Sequence, residues 1–146
     1  MSASGDDDPE QDEALRIEVL DRADCIELLA RHRFVGRLGF VVAGRPIVLP
    51  VNYLFDAGSV VFCTARGTKL NAVAGGADVA FEVDDSVPLH HSGWSVLVQG
   101  RAEVITDPGE LERLRRGPLR PWAKGARANW IRISIEEISG RRIPPI

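Results

Sequence analysis

Apolar and polar positions alternate with a period of two over most of this chain, interrupted twice by a helical period. The first interruption follows Asp21, a residue suited to capping. Ala23, Ile26, Leu29, Ala30 and Arg33 recur at three- and four-residue steps, which predicts a helix from about Arg22 to His32, ended by Gly36. The period then changes. RLGFVVA at 37–43 reads as a strand, Gly44-Arg45 as a tight turn and PIVLPVNYL at 46–54 as a second strand. Asp56-Ala57-Gly58 is another hairpin signal, and SVVFCT at 59–64 a third strand. Loops this short make the three strands antiparallel neighbours, because parallel pairing needs a long crossover. A short helix is expected over 66–73, closed by Gly75-Gly76. A strand from about Asp78 to Val83 follows, then a polar loop with Asp84, Asp85, His90, His91 and Gly93. The strand at 94–104 alternates most cleanly, with Trp94, Val96, Val98, Gly100, Ala102 and Val104 on one face. Asp107 and Pro108 open a second amphipathic helix that ends at Arg116, and a last strand, about Asn129 to Glu136, turns Ile131, Ile133 and Ile135 inward. Six strands, nearly all antiparallel, with short helices at the corners predict a mainly β domain closed, or nearly closed, into a barrel.

Length and charge refine this picture. The 146 residues suit one domain, and 45% apolar with 27% charged residues is ordinary globular composition. The net charge of −3 hides a division: residues 1–15 carry six acids and no base, so the rest of the chain holds 18 bases against 15 acids, a charge of +3. Residues 1–18 are therefore expected to form a disordered acidic tail before a folded domain at 19–146. No apolar run is long enough to span a bilayer and no signal-like segment opens the chain, so a soluble, cytoplasmic protein is expected. Cys25 and Cys63 stand 38 positions apart without metal or redox spacing and read as small buried hydrophobes.

The passage Phe62-Cys63-Thr64-Ala65-Arg66-Gly67-Thr68-Lys69 is the most suggestive chemically. A strand leading into a helix start offers backbone N–H groups to an anion. Gly67 permits close approach, Thr64 and Thr68 add hydroxyls, and Lys69, one of two lysines beside sixteen arginines, adds charge. A phosphate site and a merely capped helix start with a solvated lysine both satisfy this pattern. Pro46 and Pro50 interrupt the second strand. Proline there marks an edge, a bulge, or backbone turned toward something other than a strand, such as a flat heteroaromatic ligand against Leu49, Pro50, Val51 and Asn52.

In the order GRLGF, PIVLPVNY, SVVFCTARGTKL, VAFEVD, GWSVLVQGRAEV and RPWAKGARANWIRISIEEISGRR, residues 20–143 resemble the pyridoxamine-5′-phosphate-oxidase-like split barrels, particularly their small actinobacterial members. The resemblance implies a six- to seven-stranded antiparallel Greek-key split barrel, a homodimer, and FMN bound at the subunit interface for transfer of hydride or electrons to or from a small molecule. It implies that Thr64, Gly67, Thr68 and Lys69 hold the flavin phosphate and that the backbone of Leu49, Pro50, Val51 and Asn52 runs along the ring. Trp94 and Ser95 would approach the same flavin from the other subunit. Some relatives use a deazaflavin coenzyme, and a non-catalytic flavin-binding or sensing module is a third possibility. The chain has Lys69-Leu70 where the authentic oxidase has two basic residues, and it ends SGRRIPPI without an Arg-x-His pair. Oxidation of pyridoxine phosphate is therefore not inherited with the fold.

Other chemistries find less support. His90-His91 point apart, with no carboxylate or cysteine at ligand spacing, so no metal is expected. Glu82, Asp84 and Asp85 read as solubilising acids near a strand end, and His32 as a helix-end residue. Arg113, Arg115, Arg116 and Arg120 with Trp122 form a basic stretch, but Pro118 and Pro121 break it and no aromatic platform accompanies it, so no nucleic acid is expected.

Overall fold

The computed structural model describes residues 17–32, 34–65, 69–121 and 128–145, with the side chains of Phe34 and Lys69 left aside. Residues 1–16, where the acidic tail is expected, lie outside these, as do Arg66, Gly67 and Thr68. In chain order the elements are β1 (Glu18–Leu20), α1 (Arg22–Arg31), β2 (Phe34–Val42), β3 (Arg45–Asp56), β4 (Ser59–Ala65), a 3₁₀ helix (Lys69–Ala74), β5 (Gly75–Val87), a 3₁₀ turn (Pro88–His90), β6 (Ser92–Val104), α2 (Pro108–Arg116), β7 (Ala128–Ile133) and β8 (Glu137–Ile143). None of the described helices is long and apolar enough to cross a membrane.

The strands pair in the order β1-β8-β6-β5-β2-β3-β4-β7, and a further pairing of β6 with β7 closes six of them into a barrel. From β4 the chain crosses the barrel through the 3₁₀ helix and returns beside β2, the Greek-key move. β7 and β8 follow each other along one edge of β6: β7 pairs with Ala102–Val104 and β8 with Gly93–Gln99. The expected mainly β split barrel is thus present, with two short strands, β1 and β8, that the pattern did not reveal.

Several local expectations are corrected. Gly36 ends no helix. It lies within β2 opposite Val51, and the Phe81 ring fills the place where a Cβ would stand. The first hairpin turns at Ala43-Gly44, not Gly44-Arg45, since both of these residues have the positive φ (50° and 77°) that tight hairpins require. The expected polar loop at 84–93 is mostly strand, because β5 and β6 stay paired out to Val87 and Ser92. On α1 the buried residues are Cys25 and Leu29, rather than a stripe through Ala23 and Ala30. Asp21 caps that helix by accepting from the Asp24 N–H at 2.8 Å, as expected.

The barrel interior is built from alternate residues of each strand, among them Leu38, Phe40, Val51, Val60, Phe62, Phe81, Val83, Val96, Val98, Ile131 and Ile133. Outside the barrel, α2 lays Leu114 over Val61, Ile105, Leu119 and Trp130 as a second small core. β7 therefore buries both faces, with Ile131 and Ile133 inward and Trp130 under the helix.

Candidate functional site

β3 explains its own prolines. It pairs with β2 without interruption from Arg45 to Tyr53, but with β4 only from Tyr53 to Asp56. Beyond the Tyr53–Phe62 pair, β4 leaves β3 and follows β7 as far as Ala65. The barrel is split there, and over 45–51 the second edge of β3 has no strand partner among the described residues. Pro50 lacks an N–H, so its bridge to Arg37 uses ladder bonds of its neighbours Leu49 and Val51. The polar backbone groups of Val48 and the carbonyl of Pro50 consequently face the open side. Of the sequence alternatives for Pro50, an open edge is the one realised.

Thr64 stands on the opposite lip. Continuing the β3–β4 register past its last pair would set Thr64 against Val51, and both are buried. Thr64 Oγ1 is the only buried side-chain polar atom without a hydrogen-bond partner among the described residues. A buried hydroxyl left unpaired costs stability, so the position invites an acceptor or donor from elsewhere. Its cross-strand neighbour Asn129 donates to Asn71 on the 3₁₀ helix, a polar contact at this corner that sequence reasoning missed. Within the described residues, the short helix expected at 66–73 is present as a 3₁₀ helix over Lys69–Ala74. A six-residue 3₁₀ helix has little macrodipole to offer, so any anion at this corner depends on hydroxyls, the lysine and turn amides. Gly67 and Thr68 lie outside the described residues.

Leu49 and Val51 point into the barrel, while Pro50 and Asn52 face outward with Val48. Ser95 shares that outward face, because Pro50, Arg37, Glu82 and Leu97 are matched strand to strand in one row and Asp84 with Ser95 in the next. Three strand spacings separate β3 from β6, about 14 Å. Within one chain, therefore, Ser95 does not meet Pro50 or Asn52. Trp94 faces the other way, edge-on to the His32 ring at 5.5 Å. His32 in turn stacks near Tyr53 (6.3 Å), and Tyr53 Oη donates to the carbonyls of Leu29 (2.8 Å) and His32 (3.0 Å), clamping α1 to β3. Burial raises the Tyr53 phenol and carries the Cys63 thiol up to about 12, so neither is a ready nucleophile or base. A groove of about 470 Å³ opens beside Asn52, bounded by His32, Tyr53, Leu54, Leu119 and Arg120.

Two acids expected to be merely solubilising are not. Arg37 Nη1 donates to Glu82 at 3.3 Å and also to Asp84, so both carboxylates share one guanidinium. Two acids two apart on a strand share a face, a spacing visible in the sequence. The partner on β2 was not visible without the register.

A profile of the pyridoxamine 5′-phosphate oxidase family matches residues 21–142. The chain belongs to that family. Among curated relatives, the uncharacterised protein Rv0080 of Mycobacterium tuberculosis is 37% identical over 135 residues, 89% of this chain and 88% of that one. Among solved structures, an FAD-binding protein from Mycobacterium smegmatis is similar with a TM-score of 0.74 and 33% identity, covering 87% of this chain and all of the other. An FAD-binding protein from Mesorhizobium loti matches with a TM-score of 0.74 and 26% identity over 88% and 99% of the two chains. For a pyridoxamine 5′-phosphate oxidase family member, the split between β3 and β4 is thus the part of the barrel where sequence expectation, open backbone and an unpaired hydroxyl coincide.

Proposed function

We infer that this chain is a homodimeric flavoprotein oxidoreductase that holds FMN along the open edge of β3. The observation that carries the reading is the buried Thr64 hydroxyl, without a hydrogen-bond partner among the described residues, across the split from that edge. Thr64, Thr68 and Lys69, with Gly67 allowing close approach, bind the phosphate. The segment Leu49, Pro50, Val51 and Asn52 runs along the ring, with the Pro50 carbonyl and the Val48 backbone groups turned to its polar edge. Ser95 is supplied by the second copy, while Trp94, its neighbour in sequence, packs against His32 on the opposite face. Bound there, the flavin supplies the hydride- or electron-accepting ring. The protein's part is to orient it: β3 fixes the ring plane through the Val48 and Pro50 backbone groups, which have no strand partner among the described residues, and the apolar side chains behind that strand keep water out.

The same rows support the dimer reading. A two-fold axis parallel to the strands, between β2 and β5, lays β6 of one copy over β3 of the other and brings Ser95 to Asn52. Val35, Val41, Val48 and Leu97, all exposed on this face, give such a contact its apolar surface. FAD is the second reading, favoured by the two FAD-binding relatives.

The test is titration of the cofactor-free protein with FMN, FAD and a deazaflavin coenzyme, following fluorescence quenching and mass in solution. Micromolar or tighter FMN binding by a dimer supports the reading. Tight binding of FAD or deazaflavin alone keeps the fold and changes the chemistry, and no binding removes the assignment. Bleaching of the bound flavin by NAD(P)H then separates an enzyme from a binding module. Two variants locate the site. Lys69→Ala is expected to weaken FMN by roughly tenfold or more, the worth of one charge-assisted phosphate contact. Thr64→Val should weaken FMN while leaving the cofactor-free protein equally stable or up to about 1 kcal/mol more stable, since it deletes an unpaired hydroxyl. A clear loss of stability without FMN would mean that the hydroxyl serves the fold instead.

A further inference from the structure

At the centre of the outward face of β3-β2-β5-β6 lies a charged cluster in apolar surroundings. Val41 and Val48, each 65% exposed, border a shallow depression of about 540 Å³ whose floor includes Gly39 and Ala80. One row away, Arg37 lies opposite Glu82 and bonds both Glu82 and Asp84. One guanidinium against two carboxylates leaves a charge of −1 when both are ionised and zero when one holds a proton. Desolvation first, and then the Asp84 carboxylate, push Glu82 up to about 7, while the hydrogen bond from Glu82 holds Asp84 low. The pair therefore takes up a proton more readily than an isolated surface carboxylate, with Glu82 the acid raised.

The two-fold axis inferred above passes between β2 and β5, hence between Arg37 and Glu82. It sets Arg37 of each copy over Glu82 of the other, a self-complementary match, and gathers both clusters into one covered patch. Fully ionised, that patch carries two guanidinium groups and four carboxylates. Its net charge of −2 is costly once water is excluded, and two protons cancel it.

We propose that the Arg37–Glu82–Asp84 cluster is the centre of the contact between two copies of this chain, and that pairing takes up one proton per chain there. The dimer, and with it the cofactor site spanning the two copies, then tightens as pH falls through neutrality. This rests on the dimer reading above. The other groups facing the cluster do not replace Glu82 as the proton acceptor. From β3 come the uncharged Pro50 and Asn52, and from β6 the uncharged Ser95, Leu97 and Gln99. Two rows on, Asp78 faces Arg101 at 4.0 Å. Glu137 and Arg141 on β8 stand beyond β6, opposite Gln99 and Ser95. From the end of α1, His32 stands close enough to favour ionised Asp84.

The sign follows from linkage: a dimer that binds more protons than its separated chains dissociates more readily as pH rises. Sedimentation equilibrium from about pH 6 to about pH 8.5, with flavin saturating, measures it on wild type and Glu82→Gln. The wild-type dissociation constant is expected to rise at least roughly tenfold across this range, while the variant, its amide fixed neutral, stays within about threefold of the wild-type value at low pH. His32, His90 and His91 are intact in both proteins, so a pH dependence of their making would survive in the variant. A dimer whose affinity ignores pH, or a variant that keeps the wild-type dependence, overturns the proposal and leaves the dimer standing. A flavin-binding monomer at every pH overturns both. Glu82 is on the surface of the single chain, and equal Tm values at low concentration confirm that the variant folds.

Discussion

Gly100→Ala is expected to destabilise the protein by roughly 3 kcal/mol or more, at the upper end of what overpacking costs. An added Cβ would lie 1.6 Å from the Ser134 carbonyl oxygen and 2.8 Å from its carbon. Gly36 is also crowded, with a Cβ there 2.1 Å from Phe81 Cζ, but a ring tip can swing aside. At Gly100 the obstacle is backbone, and it is pinned on both sides. Ser134 N donates to Arg101 O at 3.1 Å and Glu136 N to Gln99 O at 3.0 Å. This is where the chain passes from β7, which closes the barrel, to β8, which leaves it. Relief would mean loosening the β6–β7 closure itself. Urea unfolding with a linear extrapolation measures the effect. A loss under about 1 kcal/mol would show that the 134–136 corner yields freely, and the closure is then softer than its hydrogen bonds indicate.

That same corner marks the limit of what alternation reveals. Inward Ile131 and Ile133, and the inward row of β6 from Val96 to Ala102, were legible because one buried face and one wet face produce a period of two. β8 was not legible. Its inward position at 140 is a glycine against Cys25 and Leu20, so the strand shows no apolar alternation to read. β1 is three residues long and exists because β8 offers it an edge. The candidate site divides in the same way. Pro50 stood out as wrong for an ordinary strand, and the open edge of β3 accounts for it; Thr64 stood out as a hydroxyl beside a candidate anion site, and the structure buries it without a partner among the described residues. The Arg37–Glu82 pairing joins residues 45 apart in sequence, and only the β2–β5 register brings them together. The groove by Asn52 and the His32–Trp94 contact likewise depend on where α1 packs against the barrel.

Asp56→Ala is expected to cost about 2 kcal/mol and lower Tm by roughly 6 °C. Asp56 ends β3 just before the Ala57-Gly58 turn, and its carboxylate, 13% exposed, is grasped by two arginines. Arg113 on α2 binds it at 2.6 and 3.0 Å, and Arg132 on β7 at 3.1 Å. Arg132 also donates to the Asp56 carbonyl at 2.9 Å, to Ser59 and to Glu110 on α2. One carboxylate thus ties the β3–β4 turn, the outer helix and the closing strand. The estimate stays below the 3–5 kcal/mol typical of a broken buried pair, because Arg113 is half in water and Arg132 keeps its other partners. The pH dependence carries a definite sign. The Arg113 hydrogen bond foremost, with Arg132 helping and burial opposing, lowers the Asp56 carboxyl below its ordinary range. A depressed folded pKa means that the stabilisation is complete above the unfolded value of about 3.9 and is lost as pH falls through the lower, folded one. Wild type and Asp56→Ala should therefore differ by a constant amount at neutral pH and converge in acid below about pH 4. Thermal melts taken across that range decide the matter. Curves that stay parallel to the lowest pH would mean that the variant's loss comes from the turn backbone and the packing of α2, and that the carboxylate contributes no charge to it.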